Sequence, residues 1–212
     1  MAVLVTDPFL EDRLKADRAE SGGDRFDEVW EGVYQMAPLA NDDHQEIQSR
    51  FVAMLQEVLG WDSSAKIRAG VNVSDRNDDW QFNYRGPDVV VYLPGNPARN
   101  FGSHWQGGPD FLVEIISPKD RSHEKLPFYA SVGVREMLYI DRDPWALELY
   151  ELADASKEMR LVGTSTINVD TILVSRVLPL SFRLIPASPR PRIEVSRTIP
   201  TIEVGARKSW LI

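Results

Sequence analysis

Two short runs constrain this 212-residue chain more than anything else in it: "PDVVVYLP" at 87–94 and "DFLVEIIS" at 110–117. Each is almost continuously apolar and rich in β-branched residues, the pattern of central strands covered on both faces. The second run contains an anomaly. Glu114 stands in its middle with apolar neighbours on either side. A carboxylate in such a strand is costly to desolvate unless it is paired or binds a metal.

Alternation along the strand puts Leu112, Glu114 and Ile116 on one face and Phe111, Val113 and Ile115 on the other. If the two runs pair as an antiparallel hairpin across residues 95 to 109, Asp88 lies opposite a residue near Ile116 and shares the face of Glu114. Diagonal neighbours in such a pair are about 7–8 Å apart. Asp88 and Glu114 then converge on one ion, and two carboxylates select a hard, oxygen-seeking cation, Mg²⁺ or Mn²⁺. Lys125 follows Glu114 by eleven residues, on the helix after the strand. A helix folding back over the sheet brings that ammonium over the carboxylate face. Two carboxylates, a metal and a lysine suit phosphodiester hydrolysis, the metal acidifying a water and polarising the phosphoryl group. The bland reading of Glu114 is an ion pair inside the sheet, with Lys125 or an arginine as partner.

The rest of the chain supplies the scaffold. Residues 1–27 are acidic and weakly periodic, an N-terminal approach segment with a short helix. "EVWEGVYQM" (28–36) reads as two strand pieces bent at Glu31-Gly32. "NDDHQEIQSRFVAMLQEVLG" (41–60) is an amphipathic helix capped by Asn41 or Asp42 and ended by Gly60, with Ile47, Phe51, Leu55 and Val58 on its stripe. His44 points to the protected face, as a core-edge histidine or a site residue. "GNPARNFGSHWQGG" between the two central runs is long for a compact domain, so it is a candidate functional loop or subunit contact. "DRSHEKLPFYASVG" (120–133) is a helix closed by Gly133 that starts near Glu124 or is kinked at Pro127. Further strands are expected at 135–141, 146–152, 158–163 and 171–175. The main domain runs over 28–186, and 187–212 is a Pro- and Arg-bearing C-terminal extension.

Composition narrows the function. There is no cysteine, which excludes disulfides, thiolate zinc sites and cysteine catalysis, and the three histidines lack zinc-protease spacing. The net charge of −8 argues against a broadly basic nucleic-acid binder. It is uneven: Met1–Asp62 holds fourteen acids against five Lys or Arg, whereas Ser181–Ile212 holds six basic residues against two acids. No membrane span or export signal is evident, so a cytoplasmic location is expected.

"GPDVVVY", "PDFLVEIISP" and "EKLPFYASVGVREMLYID", in that order and spacing, resemble the Uma-two family of restriction-endonuclease-like proteins, a branch of the PD-(D/E)XK nuclease superfamily. "DEVWEGVYQMAP" with His44 near the helix start extends the resemblance from about Asp27 to Leu184. It implies an α/β (α+β) fold with a restriction-endonuclease-like core, a mixed central β-sheet flanked by helices, with Asp88 and Glu114 as metal ligands. The superfamily lysine would stand two residues after the Glu, where this chain has Ile116. In this family the lysine has moved to the next helix, which matches Lys125. Arg121 stands where many relatives carry an acid. Glu28 and His44 are candidates for a further ligand and a phosphate-touching group. The expected function is a Mg²⁺- or Mn²⁺-dependent endonuclease acting on DNA, working as a homodimer because two strands need two sites. The competing reading is a catalytically silent module of the same fold that binds nucleic acid or a protein.

Overall fold

The two apolar runs pair antiparallel at the centre of the molecule, and everything else is arranged around them. The structure, a computed structural model, describes residues 8–37, 40–117, 121–153, 156–198 and 208–212. The expected approach segment and C-terminal extension therefore lie partly outside the described residues, at 1–7 and 199–207.

The described residues begin with helix α1 (Pro8–Ser21), the hairpin β1 (Glu28–Trp30) and β2 (Val33–Gln35), and helix α2 (Asp42–Leu59). Then come β3 (Lys66–Ala69), β4 (Val73–Ser74), β5 (Tyr84–Arg85), β6 (Val89–Tyr92), β7 (Arg99–Asn100), β8 (Trp105–Gln106) and β9 (Phe111–Ile115). A 3-10 turn at Ser122–Lys125 leads into α3 (Leu126–Ser131), and β10 (Glu136–Arg142), β11 (Trp145–Ala153) and β12 (Glu158–Thr166) follow. The last elements are β13 (Leu173–Val174), β14 (Leu180–Ile185), β15 (Arg192–Arg197) and β16 (Ser209–Leu211).

The central sheet has the order β12-β11-β10-β9-β6-β3 and is mixed, β10 running parallel to β9 and the other neighbours antiparallel. Its β9 is buried along its whole length, as a strand with two covered faces must be. Phe111, Val113 and Ile115 join the core formed with Ile47, Phe51 and Leu55 of α2 and with Phe182 and Leu184 of β14. Leu112 and Ile116 join the opposite core with Phe128 and Tyr129 of α3. The split of β9 into two faces is thus as the alternation dictates, and Glu114 belongs to the α3 side. One face is shared between α2 and the small sheet β13-β14-β15-β16 rather than being covered by helix alone. Burying each of these large side chains contributes about 1.5–3 kcal/mol.

A second six-stranded sheet, β2-β1-β5-β4-β8-β7, lies beside the central one. Its first hairpin turns at Glu31 (φ 49°) and Gly32 (φ 81°), the pair of positive φ values that a two-residue turn matching strand twist requires. The long loop between the two central runs supplies β7 and β8 to this sheet. Helix α2 starts and ends where its caps predict: Asn41 accepts a hydrogen bond from the His44 amide, and Gly60 closes the far end at φ 90°. Pro127 sits in the first turn of α3, the position that tolerates a missing donor, and the preceding turn is 3-10.

Candidate active site

The hydrogen-bonded register of β6 and β9 pairs Val89 with Val113, so Asp88, one step before β6, stands across from Glu114. This corrects the register expected from the sequence, in which Asp88 faced a residue near Ile116 and met Glu114 only diagonally. The two acids are direct cross-strand partners, because the register places Asp88 one step beyond the Val89–Val113 pair. Asp88 holds the sheet end in place: its Oδ2 accepts the Ile115 amide at 2.7 Å, and its Oδ1 lies 3.1 Å from His44 Nε2. Its carbonyl accepts Gln48 Nε2 at 2.8 Å and the Gly70 amide at 3.1 Å.

Glu114 is 3% exposed and receives its hydrogen bonds on Oε1, from Lys125 Nζ at 3.1 Å and from the Tyr129 hydroxyl. Lys125 Nζ also donates to Glu28 Oε1 at 2.8 Å. Glu28 in turn accepts the Gly86 amide on Oε1 at 2.8 Å and Trp30 Nε1 on Oε2 at 2.6 Å. Five residues singled out in the sequence, Glu28, His44, Asp88, Glu114 and Lys125, therefore meet at one end of the central sheet. They arrive on β1, α2, the entry to β6, β9 and the turn before α3. Gly86, Trp30 and Asn41 complete the cluster. Gly86 and Trp30 gave no chemical signal in the sequence, because a backbone amide and an indole act here only through placement.

The electrostatics follow from three carboxylates sharing one ammonium. Burial, opposed by Lys125 and reinforced by Asp88 and Glu28, pushes the Glu114 carboxyl up to about 8. Burial lowers the Lys125 ammonium, yet Glu114, Glu28 and Asp88 together outweigh it and raise the group, so the lysine stays charged. The Tyr129 hydroxyl is raised by its own burial and by Glu114, and it remains a donor. A site with this excess of carboxylate is arranged to take up positive charge.

Among the described residues, no group of three or more His, Asp or Glu side chains is arranged to hold a metal ion. The donor set nevertheless fits a hard divalent cation. Mg²⁺ is usually bound through one or two carboxylates, with water and substrate phosphate completing its shell. Asp88 and Glu114 are such a pair, and the hydrogen bonds of Glu114 fall on one oxygen.

A central mixed sheet with two acids facing each other at the end of adjacent strands, and a lysine from the turn before the following helix beside them, defines a restriction-endonuclease-like fold. The chain belongs to the Uma2 (Uma-two) family, whose profile, described as "Putative restriction endonuclease", matches residues 11–187. Among solved structures, the fold is similar to that of a "putative nuclease belonging to DUF820" from Anabaena variabilis. The TM-score is 0.54 at 18% identity, over 72% of this chain and 83% of the other. No curated protein matches the sequence.

Proposed function

We propose that this protein is a metal-dependent endonuclease that hydrolyses DNA phosphodiester bonds at the Asp88–Glu114–Lys125 cluster. One observation carries the reading: the β6–β9 register faces Asp88 with Glu114, and Lys125 Nζ lies 3.1 Å from Glu114 Oε1. Membership of a family described as restriction endonucleases supports it.

Asp88 and Glu114 would hold Mg²⁺ or Mn²⁺, which supplies an acidified water and neutralises charge on the phosphate. The protein's own groups do the rest. Lys125, kept charged by Glu114 and Glu28, donates to the attacking water or to a phosphate oxygen as negative charge builds there. Tyr129 fixes the rotamer of Glu114, and His44 fixes Asp88 Oδ1. Glu28 holds Lys125 in place while Gly86 and Trp30 hold Glu28. Cleavage of both strands of a duplex calls for two such sites, so the working unit in this reading is a homodimer.

A second reading rests on the same bridge. Lys125 already joins Glu28 and Glu114, so a catalytically silent module would need no cation there. Cleavage of plasmid DNA by wild type and Glu114→Ala, with Mg²⁺ or Mn²⁺, separates the two. Loss of a metal ligand removes several kcal/mol of transition-state stabilisation, so the variant is expected to cut more than about a hundredfold slower. Equal rates would refute the nuclease assignment to this site. Metal-independent binding of DNA with no cleavage would favour the silent module.

A further inference from the structure

Two arginines near the site end of the central sheet are neutralised by carboxylates. Arg121 pairs with Glu124, and Arg190 pairs with Glu46 and Asp43. Arg142, the last residue of β10, differs. Its guanidinium donates to three neutral oxygens: Asn41 Oδ1 at 2.7 Å, the Ile116 carbonyl at 3.3 Å and Ser117 Oγ at 3.4 Å. Among the described residues it makes no ion pair. The adjacent acids are engaged elsewhere, Asp141 Oδ1 with the Asp143 amide at 2.9 Å and Asp43 with Arg190 at 3.4 Å, while Asp42 is exposed.

Its place in the fold gives that charge a use. Strands β9 and β10 are parallel, with Tyr139 beside Glu114. Arg142 stands three residues further along, about 10 Å at roughly 3.3 Å per residue, beyond the carboxylates in the direction in which both strands leave the sheet. It is tied through Asn41 to the N-terminus of α2, the end that carries the positive part of the helix dipole. Asn41 Oδ1 accepts both Arg142 Nη1 and the amide of His44, and His44 meets Asp88. Among the described residues this cation has no ion-pair partner, and it is coupled, through two residues, to the acid pair.

We infer that Arg142 docks a backbone phosphate of the substrate within about two nucleotides of the scissile one, because successive phosphates of a strand are further apart in space than the roughly 3.4 Å rise along the helix axis. It is a positioning residue rather than a catalytic one, and the inference rests on the nuclease reading of the neighbouring site. Arginine suits the role because its planar fork binds two phosphate oxygens at once. The contact is to the backbone, so it adds affinity and sets register without reading sequence.

The test uses the full chain carrying Glu114→Gln, which suppresses cleavage, and a fluorescently labelled DNA duplex followed by anisotropy over a range of salt. Adding Arg142→Gln is expected to weaken binding about tenfold and to make the slope of log affinity against log salt shallower by about one. Arg142→Lys should retain most of the slope, because it keeps the charge. Replacing single phosphates of one strand by neutral methylphosphonates gives an independent readout without changing Arg142. Affinity should drop at one position within about two nucleotides of the cleavage point in the Arg142 protein, and that drop should vanish in Arg142→Gln. Unchanged affinity and slope, or a flat methylphosphonate profile while the parent binds and wild type cleaves, would overturn the role of Arg142 and leave the nuclease reading standing. Absence of DNA binding by the parent, together with absence of cleavage by wild type, would overturn both.

Discussion

Glu114 and Glu136 are buried on neighbouring parallel strands, and they are held in opposite ways. Glu136, at the start of β10, is fully buried and satisfied by neutral donors, the Ser175 hydroxyl and the Arg176 amide at 2.9 Å. Glu114, near the end of β9, is held by an ammonium and a phenol, with Asp88 and Glu28 close enough to raise its carboxyl further. Burial raises both groups. Glu136 also has an acid opposite it, Glu151 on β11, but that acid is paired with Arg176, so the difference is in what holds the carboxylates. Neutral donors that tie a loop to a strand make a structural acid, whereas like-charged neighbours around a single cation store repulsion that a proton or a further cation relieves.

Paired substitutions test that contrast most strongly. Glu136→Ala leaves the Ser175 hydroxyl and the Arg176 amide without their acceptor and opens a cavity, so it should destabilise the protein by about 2–4 kcal/mol. Metal affinity should stay unchanged. Glu114→Gln should do the reverse, abolishing metal-dependent cleavage while stability at neutral pH changes by less than about 1 kcal/mol, because a carboxyl raised to about 8 is largely neutral there and the amide is neutral too. Urea melts and calorimetry with Mn²⁺ measure the two effects. A large stability loss in Glu114→Gln with unaltered metal binding would erase the distinction.

The pH dependence of stability sharpens it further. A carboxyl raised from 4.5 to about 8 binds its proton more tightly in the folded state. Its contribution is fully present below pH 4.5 and is lost as pH rises through about 8. With divalent cations chelated, wild-type stability should therefore fall between these limits, and the fall should be smaller in Glu114→Gln. Glu136 is shifted in the same direction, so the informative quantity is the difference between the two proteins' urea midpoints across pH. Parallel curves would contradict the shift assigned to Glu114.

The smallest expected effect is that of Tyr129→Phe. It deletes one donor to Glu114 and nothing else of the site, costing about 1 kcal/mol of stability. Cleavage should slow by about tenfold through a less well-held ligand. A rate equal to wild type would show that Glu114 needs no such support.

Much of this site was legible in the sequence because it lies on strongly patterned elements. The alternation of "DFLVEIIS" assigned Glu114 to the face that α3 covers, and the caps of α2 placed His44 in its first turn. The order of the motifs, rather than any one of them, singled out Lys125. Register was not legible. Periodicity does not fix where a strand begins, and an error of a residue or two at β6 moved the expected partner of Asp88 from Glu114 to the vicinity of Ile116. Nor could parity separate the two Pro-Asp pairs. Asp110 shares the parity of Glu114, but its side chain is engaged by the Leu93 amide, Asn96 and Arg135, anchoring the loop after β6. The second sheet escaped notice because β4, β5, β7 and β8 are two residues each, too short for any period to show. Strand β15 did carry a signal, since Ile193 and Val195 point inward between polar residues, but the neighbouring prolines masked it.

The central claim is that Asp88 and Glu114 together hold a divalent cation. Crystals soaked in Mn²⁺ and measured for anomalous scattering test it most directly. A peak bridging the side chains of Asp88 and Glu114, lost in Glu114→Ala, is the predicted result. A fully soaked crystal of an actively cleaving protein with no peak between them, or with its Mn²⁺ bound elsewhere, would contradict the account.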